Sequence, residues 1–387
     1  MERSDILIVG AGLAAITLVR ELRKRDSAST VTVVTADDGH FYSKPMLSNG
    51  LAAGKTAATL VMTPRETLES QLKIVIRART RVVAIKPEAH KVLIDQGDQG
   101  ELTYGKLVLA LGAQPIRLPI EGDGAADVLS VNHIDDYARY REKLEGKRSV
   151  ALLGAGLIGC EFANDLRSAG LAVEVYDIAP QPLGRLLPTE AGSLYRQGLE
   201  AAGVHFHFGV GIKTVERTMM EGSVAYRLTD SSGAVSEVDL VVSAVGLKPE
   251  TALAATAGLA VNRGIVTGAE LQTSAADVYA LGDCVEVDGS VLPFVMPIMH
   301  QAKALAATLT GTPTAVAYPA MPVVVKTPAC PAVVCPPAPG LAGEWKTVAS
   351  DDNIEAVFRD GEGRLAGFAL VGSEAVKAKQ SLAAQLA

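Results

Sequence analysis

Two short glycine-rich segments carry the residues whose types and spacing have the clearest chemical meaning. The first reads G-A-G-L-A-A from Gly10, and the second reads G-A-G-L-I-G from Gly154. In such a loop the first glycine makes a tight turn, and the second lets the backbone approach a pyrophosphate. A third small residue then lets helix and strand pack closely. The spacing assigns these roles to Gly10, Gly12 and Ala15, and to Gly154, Gly156 and Gly159.

Each glycine loop stands between an apolar strand pattern and a helical pattern. Residues 5–9 precede the first loop, a helix is predicted to about Arg25, and residues 30–34 form a second β-branched run. The same order recurs at residues 149–153, with a helix to about Ala169 and a strand that ends at Asp177. A phosphate in either loop would meet free N–H groups and partial positive charge at a helix N-terminus. The repeat therefore predicts two dinucleotide-binding units on parallel sheets.

Acidic residues at the strand ends indicate where a ribose would bind. Asp177 closes the strand V-E-V-Y-D, the position from which a carboxylate accepts hydrogen bonds from ribose hydroxyls. A carboxylate there repels a 2′-phosphate, and no arginine follows before Arg185, so NADH is favoured over NADPH. In the first unit the acid comes slightly later, as Asp37 or Asp38.

Composition limits the remaining function classes. The 387 residues suffice for two or three domains, and 48% apolar with 20% charged residues is a globular balance. A net charge of −7 gives no polybasic surface for nucleic acid. Four cysteines are too few for a disulfide framework, and no apolar run reaches the roughly 20 residues that cross a bilayer. We expect a soluble cytoplasmic protein, monomeric and without a metal site.

Three further motifs extend the pattern to a known family. They are V-Y-A-L-G-D-C at 278–284, L-V-L-A-L-G-A at 107–113 and L-V-V-S-A-V-G at 240–246. With the two loops, they resemble the FAD-dependent pyridine-nucleotide reductases, the two-Rossmann flavoproteins. The resemblance implies an α/β fold of two Rossmann-like dinucleotide-binding domains plus a smaller C-terminal α+β domain. The implied division is 1–114 with 246–320 for FAD, 115–245 for NAD, and 321–387 at the C-terminus.

Longer stretches narrow the resemblance to one group of this family. Y-S-K-P-M-L-S at 42–48 and V-K-T-P-A-C-P at 325–331 are similar to the bacterial rubredoxin–NAD reductases. This likeness implies that NADH reduces FAD and that the electrons then leave singly to rubredoxin, as in alkane hydroxylation. No catalytic acid or nucleophile is required, because the cofactor carries the chemistry.

The resemblance also assigns individual contacts. Lys44 would contact the FAD pyrophosphate, Val82 the adenine, and Asp283 a ribityl hydroxyl. Glu161 would face the flavin near the nicotinamide, while Val295 and Lys326 would line the isoalloxazine. An ammonium in the apolar stretch V-V-V-K-T needs a partner, and a flavin oxygen is one candidate for Lys326. The complete set of predicted cofactor-binding residues is Gly10, Ala11, Gly12, Leu13, Ala15, Thr35, Asp37, Lys44, Val82, Ala110, Arg117, Gly154, Gly156, Ile158, Gly159, Glu161, Asp177, Gly246, Asp283, Val295 and Lys326.

Departures from relatives exclude disulfide and cysteine-peroxidase chemistry, and they disfavour, without excluding, the [2Fe–2S] ferredoxin reductases. No cysteine precedes Cys160, so a dithiol beside the first unit is impossible. Where peroxidases of the family read L-S-C-G and [2Fe–2S] ferredoxin reductases usually read L-S-K, this chain reads L-S-N-G with Asn49. Cys330 and Cys335 lie among four prolines and are interpreted as structural. A helix is predicted to begin at His300. Reduction of a [2Fe–2S] ferredoxin or flavorubredoxin, and an NADH-sensing interaction role, remain alternatives.

Overall fold

The computed structural model of the chain describes residues 2–95 and 100–386. These residues form two compact units, each assembled from three separate stretches of chain. The first unit comprises Met1–Lys44, Val61–Gln114 and Leu247–Tyr318. The second unit comprises Pro45–Leu60, Pro115–Gly246 and Pro319–Ala387. The division into FAD-binding, NAD-binding and C-terminal domains stays a prediction.

The strands and helices are numbered in chain order. The strands are β1 Glu2–Val9, β2 Val31–Val34, β3 Phe41–Tyr42, β4 Val61–Thr63, β5 Val75–Arg77, β6 Val82–Lys86, β7 Lys91–Ile94, β8 Glu101–Leu109, β9 Ala113–Pro115, β10 Ser149–Leu153, β11 Ala172–Asp177, β12 Val204–Phe208, β13 Ile212–Met220, β14 Ser223–Asp230, β15 Val235–Val238, β16 Leu240–Ser243, β17 Leu247–Pro249, β18 Ile265–Thr267, β19 Val278–Ala280, β20 Val285–Val287, β21 Val323–Val325, β22 Ala332–Cys335, β23 Gly343–Ser350, β24 Asn353–Asp360 and β25 Leu365–Val371. The helices are α1 Leu13–Arg23, α2 Ala57–Leu60, α3 Arg65–Leu72, α4 Ile134–Leu144, α5 Leu157–Ser168, α6 Thr189–Ala201, α7 Ala252–Thr256, α8 Val295–Leu309 and α9 Lys379–Gln385.

A seven-stranded sheet forms the core of the first unit. Its strands follow the order β5-β2-β1-β8-β7-β6, and β19 pairs with β8. β1 runs parallel to β2 and to β8, with Ile8 opposite both Val33 and Val108. All four residues of β2 are buried, as are the last four residues of β1. Strands covered on both faces read as continuous apolar runs, which is why this strand pattern was visible in the sequence.

Helix α1 joins β1 to β2 and completes the first predicted unit. It buries residues at helical spacing, including Ile16, Val19 and Leu22, and it packs against α8. The helix ends at Arg23, two residues before the predicted end at Arg25. The order strand, glycine loop, helix, parallel strand is therefore confirmed for the first repeat.

The second unit contains the second repeat on a four-stranded parallel sheet. Its order is β12-β11-β10-β16, and β10 pairs in parallel with both β11 and β16. Helix α5 joins β10 to β11 and ends at Ser168, one residue before the predicted end. A three-stranded antiparallel sheet, β13-β14-β15, is inserted in the chain between β12 and β16 of the parallel sheet.

The C-terminal part of the second unit is a five-stranded antiparallel sheet with a short final helix. The strand order is β21-β22-β25-β24-β23. Phe368 and Leu370 of β25 pack with Leu382 of α9 to give this sheet its own apolar cluster. Helix α6 also contacts β24 and β25, which joins the sheet to the parallel-sheet part of the same unit. The predicted α+β character of the C-terminal region is confirmed.

Helix α8 begins at Val295, so the predicted helix start at His300 is wrong. Pro297 occupies the first turn of this helix, where the missing backbone N–H has no intrahelical partner to lose. The proline in the sequence therefore marked a position inside the helix and not its boundary. Within the described residues, every helix is too short or too polar to span a bilayer.

Candidate functional site

The first glycine of each loop adopts a conformation that other residues rarely reach. Gly10 has φ +106° and Gly154 has φ +105°. A Cβ at Gly10 would lie 2.3 Å from the carbonyl oxygen of Ala110, and one at Gly154 would lie 2.7 Å from that of Ala244. Each glycine therefore makes a tight turn against the backbone that follows a neighbouring strand, and only a residue without a Cβ fits there.

The second glycine of each loop faces open space. Gly12 and Gly156 both have extended backbones, and no heavy atom lies within 4 Å of a Cβ built on either one. Each is the N-cap of the following helix, α1 or α5, and neither helix start is capped by a side chain. The first N–H groups of both helices thus have no side-chain cap, and the glycine beside them leaves room for a pyrophosphate.

The third position of the loops differs between the two repeats. A Cβ at Gly159 would lie 1.9 Å from the carbonyl oxygen of Gly154, so no side chain can be placed there without moving the loop. The first loop holds Ala15 at this position, fully buried, so its helix and strand leave room for one methyl group. The second loop therefore packs more tightly against its helix than the first.

Asp177 lies directly beside the second glycine loop. Its Oδ2 accepts a hydrogen bond from the N–H of Ala155 at 2.6 Å, and its Oδ1 accepts one from the N–H of Ala179 at 2.8 Å. The end of β11 thus places a carboxylate against the loop, as predicted for a ribose-binding acid. Its role toward a ribose stays a prediction.

The corresponding acid of the first repeat belongs to a tight turn after β2. Asp37 Oδ1 accepts hydrogen bonds from the Thr35 hydroxyl at 2.7 Å and from the N–H of Gly39 at 2.9 Å. Asp38 accepts one from the N–H of His40 at 3.1 Å. Asp37 is thus linked to Thr35, another predicted site residue.

The G-D-C motif lies against the first turn of α1 and is hydrogen-bonded to a buried glutamine of α8. The Gly282 N–H donates to Oε1 of Gln301 at 2.7 Å, and Nε2 of Gln301 donates to the Tyr318 hydroxyl at 2.9 Å. A Cβ at Gly282 would lie 2.8 Å from the Cβ of Ala14, so the motif touches the first turn of α1. Sequence reasoning missed Gln301, although a polar residue on the apolar face of a helical pattern was a usable signal.

Asp283 follows Gly282 and is therefore held close to the start of α1. Burial raises the pKa of its carboxyl, and the nearby Lys44 ammonium acts in the opposite direction. The first unit thus brings together the Gly10 loop, Ala110, Asp283 and Lys44, which were predicted as one group.

Glu161 is the centre of the most buried charged cluster of the second unit. It is 3% exposed, and its Oε2 lies 2.8 Å from Nζ of Lys326 and accepts a hydrogen bond from the Ser48 hydroxyl at 2.5 Å. Its Oε1 accepts the backbone N–H of Lys326 at 3.1 Å. Nζ of Lys326 also contacts Ser48 Oγ at 3.1 Å and donates to the carbonyl of Pro45. The partner of Lys326 is therefore Glu161, and the two predicted residues form one ion pair.

Two more polar residues of helix α5 were missed by sequence reasoning. Asp165 accepts the N–H groups of Leu51 at 2.8 Å and Ala52 at 3.0 Å, and Asn164 accepts the N–H of Ala329 at 3.0 Å. Both are buried, and burial raises the pKa of the Asp165 carboxyl despite its backbone donors. Spaced three and four residues after Glu161, they lie on the same helix face.

The other predicted residues of the loops lie at their edges. Ala11 is buried and Leu13 half-buried in the first loop, while Ile158 is exposed in the first turn of α5. Gly246 has φ +119° and its carbonyl accepts the N–H of Ile116 at 3.0 Å.

Three predicted residues have no contact that identifies a role. Val82 is a buried residue of β6 at an irregularity in its pairing with β7. Val295 is exposed at the first position of α8, and Arg117 is exposed in the second unit. Their roles at a cofactor stay predictions.

All four cysteines are buried and none forms a disulfide. Burial raises the pKa of Cys330 to about 11 and also raises that of Cys335. Cys330 packs against α6, where a Cβ at Gly198 would lie 2.7 Å from its Sγ. Elevated thiol pKa values disfavour the reactive thiolate. In residues 2–95 and 100–386, no three His, Cys, Asp or Glu side chains are grouped to hold a metal ion.

Several known proteins are similar to this chain over nearly its whole length. The rubredoxin–NAD(+) reductase of Alcanivorax borkumensis is 47% identical over 381 residues, which cover 98% of each chain. The nitric oxide reductase FlRd–NAD(+) reductase of Aeromonas hydrophila is 39% identical and covers 99% of this chain and 96% of its own length. The crystal structure of the ferredoxin reductase for the CYP199A2 system of Rhodopseudomonas palustris aligns with a TM-score of 0.85 at 27% identity, covering 96% and 92% of the two chains.

Two family models match nearly the whole chain between them. Residues 315–386 match the rubredoxin binding C-terminal domain. Residues 4–308, which include both glycine loops and the G-D-C motif, match the pyridine nucleotide-disulphide oxidoreductase model. This chain therefore belongs to the pyridine nucleotide-disulphide oxidoreductase family, which confirms the resemblance predicted from the sequence.

Proposed function

We propose that this protein is a flavoprotein reductase that takes electrons from NADH and passes them singly, through FAD, to rubredoxin. The main support is the combination of binding sites in one chain. A single chain combines two open glycine loops with a C-terminal segment that matches a rubredoxin binding domain. The relative from Alcanivorax, a rubredoxin–NAD(+) reductase of nearly equal length, supports the same function. A context of alkane hydroxylation is part of the proposal.

The first unit would hold FAD. The open approach at Gly12 and the uncapped start of α1 fit its pyrophosphate, and Lys44 adds a cation. Asp283 would accept a hydrogen bond from a ribityl hydroxyl, and Asp37 one from the ribose. We assign Ala110, Thr35, Val82, Val295 and Arg117 to the surroundings of the same cofactor. In this scheme the FAD domain is residues 1–114 with 246–320.

The second loop would hold NADH. Gly156 faces the same kind of open approach, and the α5 N-terminus supplies free N–H groups. Asp177 places negative charge at the loop, which favours a ribose with free hydroxyls over a 2′-phosphate. In this scheme residues 115–245 bind NADH and residues 321–387 form the domain that meets the carrier.

Bound FAD supplies the conversion from two-electron to one-electron transfer. The chain itself has to bind and orient FAD and NADH and to shield them from water. The ion pair between Glu161 and Lys326 neutralises a buried carboxylate on the helix that starts at the NADH loop. The proposal includes a cytoplasmic location, which fractionation of cells producing the natural chain would test.

The test is carrier reduction by the purified, FAD-loaded protein. NADH is added without oxygen while the flavin absorbance is followed, and oxidised rubredoxin is then mixed in a stopped-flow instrument. We expect bleaching of the flavin followed by rapid loss of rubredoxin colour, and a slower reaction with a [2Fe–2S] ferredoxin. A flavin that stays yellow with excess NADH contradicts the reductase proposal.

Flavorubredoxin is the second candidate carrier, because of the Aeromonas relative named for that reaction. A kcat/KM for flavorubredoxin well above that for rubredoxin would replace the carrier but leave the reductase proposal intact. Fast ferredoxin reduction alone would favour the [2Fe–2S] alternative. Slow turnover with every carrier, together with a long-lived NADH complex, would favour the sensing role.

A further inference from the structure

The turn that carries Lys326 is held at nearly every residue by helices α5 and α6 of the same unit. This turn, residues 326–330, directly follows β21. The backbone N–H of Lys326 donates to Glu161, and that of Ala329 donates to Asn164. Both acceptors lie on one face of α5, so this face holds two separate points of the turn.

Helix α6 holds the turn from its other side. The Tyr195 hydroxyl donates to Oγ1 of Thr327 at 3.1 Å, and this Oγ1 donates to the carbonyl of Cys330 at 2.8 Å. The Cys330 side chain fills the space left by Gly198. Tyr195, Thr327 and Cys330 are all buried, so these contacts are shielded from water.

Helices α5 and α6 thus hold the turn at more points than a simple ion pair of Lys326 would require. A lysine side chain is long and loses considerable rotamer freedom when it is fixed in one place. The side chain of Lys326 is 29% exposed, yet its ammonium contacts both Glu161 and Ser48. Glu161 holds the backbone of the turn at Lys326, and Asn164 holds it at Ala329. Tyr195 contacts the turn between these two points, through the side chain of Thr327.

We propose that Asn164 and Tyr195 are positioning residues, which act through Lys326 by keeping its ammonium on the Glu161 carboxylate. Neither residue belongs to the glycine loops, and neither was identified from the sequence. The inference rests on the proposed function only where it concerns NADH. The position of Lys326 itself can be measured without turnover.

The first experiment is competitive acetylation of lysines in the FAD-loaded protein, read by mass spectrometry. The reactivity of Lys326 is divided by that of Lys346, an exposed lysine of the same C-terminal sheet. Asn164→Ala and Tyr195→Phe should each raise this ratio by about fivefold, since each removes roughly one net hydrogen bond from the turn. Glu161→Gln should raise it as a positive control.

Two matched variants separate positioning from general loosening. Asn262→Ala removes an amide that donates to the Glu286 carboxylate in the first unit, away from the turn. Tyr226→Phe removes a hydroxyl that donates to Asp127. Both should leave the Lys326 ratio unchanged. An unchanged ratio in Asn164→Ala and Tyr195→Phe overturns the proposal, and so does an equal rise in the two control variants or no rise in Glu161→Gln.

A double-mutant cycle then tests whether Asn164 acts through Lys326. Flavin reduction by NADH is measured for Asn164→Ala, Lys326→Met and the combined variant. If Asn164 works only by placing Lys326, the combined variant should match Lys326→Met. Additive losses would mean that Asn164 acts elsewhere and would overturn the inference. If NADH reduces none of the proteins, including the unmodified one, the proposed function fails while the acetylation result still stands.

Discussion

Replacement of Gly156 by alanine should separate folding from nucleotide binding. Gly156 has φ −76° and ψ −171°, an extended conformation that alanine adopts freely. No atom lies within 4 Å of the added Cβ, so the free protein has room for it. A glycine-to-alanine change at a compatible position stabilises by about 0.4–1 kcal/mol, because the unfolded chain loses freedom. We therefore expect an unchanged or slightly higher melting temperature.

The same methyl group would occupy the approach to the start of α5. If the NADH pyrophosphate binds there, at least one hydrogen bond from the backbone to a charged oxygen is lost. Such bonds contribute about 1.5–3 kcal/mol, which corresponds to a rise in Kd of about 10- to 150-fold. FAD content should not change, because the first glycine loop belongs to the other unit.

The assay combines thermal unfolding, the FAD content of the purified protein and the Kd for NAD(+) by calorimetry. Gly361→Ala is the matched control, since it also adds a Cβ into open space in the second unit. It should leave all three quantities unchanged. Gly159→Ala is the contrasting variant, because its Cβ would meet the Gly154 carbonyl oxygen at 1.9 Å and should destabilise the fold. Normal nucleotide affinity in Gly156→Ala would refute the assignment of this loop.

Three further predictions concern the acids and thiols. Asp177→Ala should lower the stability of the fold by about 1–3 kcal/mol, because two backbone N–H groups lose their acceptor. It should also lower the ratio of kcat/KM for NADH to kcat/KM for NADPH. An unchanged ratio contradicts the role of Asp177 in nucleotide choice. For Asp165, the raised pKa means that the stability it contributes is greatest below the ordinary carboxyl pKa and falls as pH rises through the folded value. The stability deficit of Asp165→Asn, measured by urea unfolding, should therefore widen from pH 7 to pH 4, and a constant deficit counts against a raised pKa. Cys330 has a pKa of about 11, so at pH 8 it should react with iodoacetamide about 100-fold more slowly than a free thiol. Fast modification of the folded protein would argue against the burial of Cys330.

The parts of the molecule that could be predicted from the sequence are those with local causes. A glycine with positive φ, a close approach to a strand end and an apolar run all depend on residues a few positions apart. Gly10 and Gly154 illustrate this, since both take nearly the same φ and both support the same strand-loop-helix order. The repeat strengthened each assignment, because one physical requirement appears twice in one chain.

Contacts between distant segments could not be predicted in the same way. The ion pair of Glu161 with Lys326 joins positions 165 residues apart, and nothing near either residue names the other. Asn164 and Asp165 looked like ordinary polar residues of a helix, yet both are buried and accept backbone N–H groups from other segments. The start of α8 was predicted at His300, five residues too late, although a proline such as Pro297 fits the first turn of a helix.

The Glu161 cluster shows how a buried carboxylate is balanced by a cation from a distant segment of the chain. A carboxylate buried in this way is costly without a cation, so the charge on Glu161 has to be balanced by some lysine or arginine nearby. Ser48 donates its hydroxyl to Glu161 but carries no charge. The balancing cation comes instead from the C-terminal segment, as Lys326. A change at position 161 therefore has to be judged together with position 326.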